Sequence, residues 1–366
     1  MCKKAPLKRG FFTAAVRFVR KGGIDALVPL QIRSLYKYKE ILIFAIQMAM
    51  ETTLKTLRAI AESSRLRLLA LIETGEVSVG ELVIAIEQSQ PRVSRHLKLL
   101  VDAGLVENFR DTHHVYYRLS RDTGVQGLLK KVLSGLIGDA EIAADLERLG
   151  KVRQAREKDA YSRIDTKHAW AQAFRQSANA GAVEEALDDA LCNIELGELL
   201  SVRTDGGRLL QHLAPKARSA TGVEHSQAMR LLARSRLQQA GLAECTLRNI
   251  DGNELPFAPR SFDTVLLNEA LSRATDKRQV LSEAARVLRS DGRLLVLDWV
   301  QQVTLQNKNL PSKSEQGTAL MAENQLRTLL AEQGLTVVRR SWLPGKSPNY
   351  ALFMAVPVSA LKTGAA

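Results

Sequence analysis

Ser89-Gln90-Pro91-Arg92-Val93-Ser94-Arg95-His96-Leu97-Lys98-Leu99-Leu100 is the stretch that decides how this chain folds. Val93, Leu97, Leu100 and Val101 recur at three- and four-residue spacing, which lays one apolar stripe along a helix. Ser89 is placed to cap it. Pro91 falls in the first turn, where a missing N–H costs nothing, and Gly104 suits the end. Ser89, Gln90, Arg92, Ser94, Arg95 and Lys98 fall on the opposite face, with His96 at its margin. Base edges in the major groove are read by hydrogen bonds and phosphates attract positive charge, so this face is expected to meet DNA.

The neighbours support that assignment. Leu54, Leu57 and Ile60 are spaced for a helix, and Ser63 or Ser64 is expected to cap a second one that runs through Leu66, Leu68, Leu69 and Leu71 to Gly75. Ser78 caps a third, with Leu82, Val83 and Ile86 inward. After the decisive helix, Leu105–Phe109 and Val115–Leu119 read as two strands of a β-hairpin. Arg110, His113 and His114 at its turn are expected to touch the DNA backbone or minor groove. Two adjacent histidines lack the spacing of a metal pair, so wing contacts are the expectation rather than a metal site.

The run Ser89 to Leu100, followed by Ala103-Gly-Leu-Val106 and Val115-Tyr-Tyr-Arg-Leu119, closely resembles the winged helix-turn-helix of ArsR/SmtB-type transcriptional regulators. The resemblance covers residues 51–136. It implies a homodimer on a palindromic double-stranded DNA operator, with residues 89–98 reading the sequence and repression as the outcome. Family members that sense metals carry Cys pairs or His/Asp sets in neighbouring helices. Here Val79–Ile86 has no Cys and Gly124–Leu136 no His, so no metal is expected.

Residues 124–180 read as helical, first apolar (Leu128, Leu129, Val132, Leu136) and then densely charged, which suits a dimerisation helix followed by a helical linker. Beyond residue 183, strand candidates at Leu199–Val202, Ala220–Glu224, Cys245–Ile250, Phe262–Leu267 and Leu294–Leu297 alternate with helices, the pattern of a parallel α/β sheet. This half resembles class I S-adenosylmethionine-dependent methyltransferases in Thr221-Gly-Val-Glu224, Leu255-Pro-Phe257, Ser261-Phe-Asp-Thr-Val265 and Asp291-Gly-Arg-Leu-Leu-Val296. That resemblance implies a Rossmann-like fold, with Glu224 for the cofactor ribose and Asp251 for the adenine amine. Carboxylates without a ligand are the other reading of both.

The cofactor loop departs from the family, which places an acid and three alternating glycines after the first strand. Ser201 stands for the acid, Arg203 for the first glycine and Asp205 for the second; Gly207 keeps its place, and Gly206 beside it offers a shifted turn. Side chains where glycine lets backbone approach a ligand are expected to weaken S-adenosylmethionine or S-adenosylhomocysteine binding. The domain is then expected to serve as a sensor or dimerisation module, with an active methyltransferase as the alternative. No catalytic group stands out elsewhere.

The expected organisation is therefore a basic extension over residues 1–47, a winged helix-turn-helix domain over 48–122, a dimerisation helix and linker over 123–182, an α/β methyltransferase-like domain over 183–358 and a tail over 359–366. Of the net charge of +13, residues 1–50 hold +8, from ten Lys/Arg against Asp25 and Glu40. Met48 and Met50 suggest that translation starts downstream of this extension; a basic arm on DNA phosphates is the other reading. The composition, 45% hydrophobic and 25% charged, is that of a globular protein. The longest uncharged apolar run, Ile41–Met50, is half of what a membrane helix needs, and Cys2, Cys192 and Cys245 form no disulfide framework, so a cytoplasmic protein is expected.

Overall fold

The computed structural model describes residues 50–51, 53–163, 180–250, 254–301, 321–343 and 350–363. The expected extension, Asp251 and the middle of the expected linker lie outside them. Met1–Arg58 is one compact unit and Ala59–Ala366 another. Residues 53–58 of the former are helical; everything below concerns the latter.

Helices α1 (Ser63–Glu73), α2 (Val79–Ile86) and α3 (Gln90–Asp102) are followed by strands β2 (Val106–Asp111) and β3 (His114–Leu119). A two-residue strand β1 (Val77–Ser78), not foreseen, pairs with β3 and makes a three-stranded wing in the order β1-β3-β2. The cap of α1 is Glu62 rather than Ser63 or Ser64: its backbone is extended and its carboxylate accepts from the Arg65 amide at 2.9 Å. A carboxylate there also opposes the helix dipole, which a serine would not. Ser78 caps α2 as expected, and Glu81 closes the capping box by accepting from the Ser78 amide. Val93, Leu97 and Leu100 of α3 are fully buried among α1 and α2 residues, as their spacing requires.

Helix α4 (Thr123–Ser134) adds Leu129 and Leu133 to that core. Helix α5 (Ala140–Arg163), where a charged helical linker was expected, has exposed charges and also buried or half-buried ones that pair with α1 and α2. Its Asp145, with no exposure, accepts from Arg67 of α1 at 2.6 and 2.8 Å and pairs with Arg148, while its Arg156 pairs with Glu81 at 2.6 Å.

The second half contains α6 (Ala180–Ala190), β4 (Glu198–Val202), α7 (Arg208–Leu213), β5 (Ser219–Val223), α8 (Gln227–Gln239), β6 (Thr246–Arg248), β7 (Phe262–Asn268), α9 (Ala270–Arg273), α10 (Lys277–Val287), β8 (Leu288–Gln301), β9 (Met321–Ala322), α11 (Glu323–Glu332), β10 (Leu335–Trp342), β11 (Tyr350–Pro357) and α12 (Val358–Thr363). The sheet runs β10-β11-β8-β7-β4-β5-β6, with β9 beside β8. Residues alternate between its two faces: Leu200, Val265 and Val296 meet α10 and α11, whereas Leu199, Leu266 and Leu295 meet α6, α7 and α8.

The five strands expected from the sequence are parallel to one another, and two further strands make the sheet mixed, because β11 runs antiparallel to β8 and β10 to β11. Only seven residues separate β10 from β11, too few for the crossover that parallel strands need.

Candidate functional site

Three features carry chemistry: the outer face of α3, a charged joint where the wing meets α8, and a cavity at the carboxyl ends of β4 and β5.

On α3 the buried stripe leaves Ser89, Gln90, Arg92, Ser94, Arg95 and Lys98 exposed together. Among the described residues none of the three cations is held in an ion pair. His96 departs from them: it is half-buried, with Nδ1 3.6 Å from the Glu62 carboxylate, and burial holds its pKa below the ordinary value although Glu62 opposes this. The histidine is therefore tucked between α3 and the start of α1, less exposed than the six residues beside it.

In the wing, only Thr112 and His113 form the turn; Arg110 lies in β2 and His114 in β3, and all four are exposed. Cross-strand pairing puts Phe109 opposite Tyr116 and Asp111 opposite His114, so these four share one face of the hairpin, while Arg110 and Asn108 share the other. The first face is covered by the second half of the chain. Arg234 of α8 stacks over Tyr116 at 4.0 Å and Arg248 of β6 over Phe109 at 3.5 Å. Of the expected wing contacts, Arg110 thus points away from this joint and His114 lies on its face, while His113 is exposed in the turn.

The joint is a network of buried charge. Arg230 grips Asp111 with two bonds, Nε to Oδ2 at 3.1 Å and Nη2 to Oδ1 at 2.7 Å. Arg234 donates to Asp111 at 2.7 Å and to Glu76 at 3.0 Å, and Glu76 also accepts from Arg248 at 3.2 Å and from the Leu247 amide. Glu157 of α5 accepts from Ser235 of α8 at 2.5 Å. Burial works against the charge on Asp111, but Arg234 and Arg230 outweigh it and hold its carboxyl below the usual range. Burial likewise opposes the Arg234 charge, and Glu76, with Asp111, outweighs it. Three guanidiniums face two carboxylates; the excess is met by backbone carbonyls and the two rings.

The cavity, about 320 Å³, is lined by Arg203, Asp205, Glu224, His225, Met229 and Arg273 among others. It lies beyond the carboxyl ends of parallel strands, where open α/β sheets bind ligands. Of the residues expected here, Arg203, Asp205 and Glu224 do line it. Ser201 is buried within β4 between its neighbours on β5 and β7, and neither it nor Gly206 or Gly207 is among the residues that line the cavity. Gly207 is needed for another reason: it has φ +80°, and a Cβ there would stand 2.8 Å from that of Ala233, so glycine lets α8 pack close.

Arg203 and Asp205 nevertheless keep the backbone path that glycine would take, at φ +58° and +48°. The Asp205 side chain ties the loop to β7 and α9. The Asp205 carboxylate accepts from Asn268 at 3.0 Å and lies 3.6 Å from Arg273, while its amide donates to Glu224 at 3.0 Å. The Ser226 amide takes the other Glu224 oxygen at 2.8 Å, and Glu224 is only 3% exposed. Burial pushes the Asp205 carboxyl up to about 6 and that of Glu269, which accepts from Arg273 at 2.7 Å, up to about 7. Among the described residues no group of three or more His, Cys, Asp or Glu is arranged to hold a metal ion, and no helix is long and apolar enough to cross a membrane.

Sequence reasoning does not find Arg230, Arg234, Arg248, Glu76, Asp111 or Arg273. The one local signal is the pair of arginines four apart on α8, a helix with an apolar face of its own.

Residues 62–108 match the family model of bacterial regulatory proteins of the arsR family, and residues 203–296 that of a methyltransferase domain. The chain is 42% identical over 64 residues to the arsenical resistance operon repressor of Escherichia coli K12, covering 17% of this chain and 55% of the relative. It is 40% identical over 79 residues to the arsenic resistance transcriptional regulator ArsR1 of Pseudomonas putida, covering 21% and 62%. It is also 35% identical over 94 residues to a demethylmenaquinone methyltransferase of Thermotoga maritima, covering 26% and 38%. The chain spans little more than half the length of the curated repressors it matches, and less of the methyltransferase. With the three-stranded wing and the doubly covered sheet, these matches make the chain a union of an arsR-family helix-turn-helix region and a methyltransferase-type domain.

Proposed function

We propose that this protein is a cytoplasmic DNA-binding transcriptional regulator, probing the major groove with α3, whose methyltransferase-type domain serves as a sensor rather than a catalyst. The observation that carries it is the row Ser89, Gln90, Arg92, Ser94, Arg95 and Lys98, exposed together above a fully buried stripe. Hydroxyls, an amide and guanidiniums on one helix face are the groups that read base edges and neutralise phosphates. Arg110, on the open side of the wing, and His113, in its turn, extend the same surface. A homodimer on a palindromic operator, with half-sites one helical turn apart, is the assembly that fits. Selecting duplexes from a random library and footprinting the winners tests it. A symmetric footprint lost on substituting Arg92 and Arg95 is expected; sequence-blind binding unaffected by those substitutions would sink it.

For the second domain, the residues as they stand do not fit S-adenosylmethionine. The Glu224 carboxylate that would take the ribose diol already accepts from two amides, and the Asp205 side chain lines the cavity where glycine would leave bare backbone. Titration calorimetry with S-adenosylmethionine and S-adenosylhomocysteine is expected to find no micromolar binding. The second reading, an active methyltransferase carrying a DNA-binding domain, is favoured by the cavity's position beyond β4 and β5, and micromolar binding would bring it forward.

A further inference from the structure

Arg230 is 1% exposed, and its two ends serve different parts of the molecule. One end holds the wing: both oxygens of Asp111, and the hydroxyl of Thr112 at 3.0 Å. The other, through Nη1, donates to the carbonyls of Glu224 and His225 at 2.7 Å each and to Asn249 at 2.8 Å. Glu224, His225 and Ser226 line the cavity. One rigid, planar cation therefore spans from the tip of the wing to the rim of the cavity, and its acceptors at the two ends cannot shift independently.

We propose that Arg230 is a positioning residue that makes the wing and the cavity rim a single element, so that displacement of the 224–226 turn is passed to the wing. The proposal rests on reading the second domain as a sensor. The cause of displacement is on the rim itself. Each Glu224 oxygen accepts one amide, of Asp205 and of Ser226, and keeps a second lone pair, so a ligand donor that reaches this carboxylate shares it with these amides and pulls on the turn whose carbonyls anchor Arg230. Linkage makes the effect reciprocal: a wing held on DNA alters the cavity by the same factor.

No ligand is needed to test it. Hydrogen exchange is measured on the full chain for the wild type, Glu224→Gln, Arg230→Lys and the double variant. Glu224→Gln weakens the hold on the Asp205 and Ser226 amides and is expected to speed exchange in residues 106–119 by about tenfold. In the Arg230→Lys background the same change is expected to add nothing to that hairpin. An unchanged hairpin in Glu224→Gln, or an equal increment in both backgrounds, overturns the proposal. Thr112→Val removes a single hydroxyl and gives a milder cut of the same link should Arg230→Lys fail to fold; the increment shrinks if the proposal holds and is unaltered if it does not. Anisotropy with a duplex selected by the wild type is read alongside. Loss of Arg92- and Arg95-dependent binding with the exchange coupling intact removes the regulator and leaves the joint; the converse removes the joint alone.

Discussion

Two pairs of arginines on two helices meet opposite fates. Arg92 and Arg95, three apart on α3, are exposed and, among the described residues, without an ion pair; Arg230 and Arg234, four apart on α8, are buried and paired, the first with Asp111 and the second with both Asp111 and Glu76. Both helices have an apolar stripe and a polar face, so the pattern that marks α3 as a reader of DNA would mark α8 as well. The difference lies in what covers each face. Acids from the wing and from Glu76 stand over α8, whereas α3 is left open. A cationic helix face is a DNA candidate only when the fold supplies no acids of its own to meet it.

The comparison can be broken most sharply at Asp111. Asp111→Ala leaves Arg230 and Arg234 buried side by side without their shared carboxylate, and removing one partner of a buried ion pair costs about 3–5 kcal/mol. Urea unfolding should register a loss of that size, against almost none for Arg92→Ala. On DNA the ranking should reverse. Substituting Arg92 and Arg95 together should weaken binding to a selected duplex by about a hundredfold or more, at roughly 1–3 kcal/mol for each base read, and lower the slope of affinity against salt by about one for each phosphate no longer neutralised. Equal losses on DNA from the two pairs would mean that α8 too lies against the duplex.

A smaller effect is expected at the cavity. Arg203 and Asp205 hold positive φ at a cost of about 1–2 kcal/mol each, so Arg203→Gly with Asp205→Gly should raise the melting temperature or at least preserve it. With the Asp205 side chain gone from the loop, S-adenosylhomocysteine binding should become measurable by calorimetry. A cavity still closed to it would show that those two side chains are not what excludes the cofactor.

The smallest effect is in pH. The Glu269 carboxyl, raised by burial from 4.5 to about 7, keeps a proton in the folded protein that the unfolded chain has already released. Its stabilising contribution is complete below about pH 4.5 and is lost as pH rises through 7, by at most about 1.4 kcal/mol per pH unit. Melting curves between pH 5 and 8 should fall less steeply in Glu269→Gln. Identical slopes would place the proton elsewhere.

What is legible in the sequence is local. Val93, Leu97 and Leu100 announce the buried stripe of α3 through their spacing, Ser78 announces a capped start for α2, and the alternation of strands with helices after residue 183 announces an α/β sheet. The charged stretch in α5 reads as a linker because mixed charges usually face solvent; Asp145 and Arg156 are instead satisfied by Arg67 and Glu81, which are far away in sequence. His96 follows the helix margin by its position, yet the cap residue Glu62 draws it inward.

The sequence by itself determined that an amphipathic helix with a cationic polar face precedes a hairpin, and that strands and helices alternate after residue 183, because both follow from contacts within a few residues. Only the tertiary structure decided that this hairpin turns one face to α8 and that Arg203 and Asp205 hold positive φ in the cavity loop. Asp111 and Arg234 are 123 residues apart in the chain, and Glu76 and Arg234 are 158 apart. Charges so distant carry no local signature, and their pairing exists only once both halves have folded against each other.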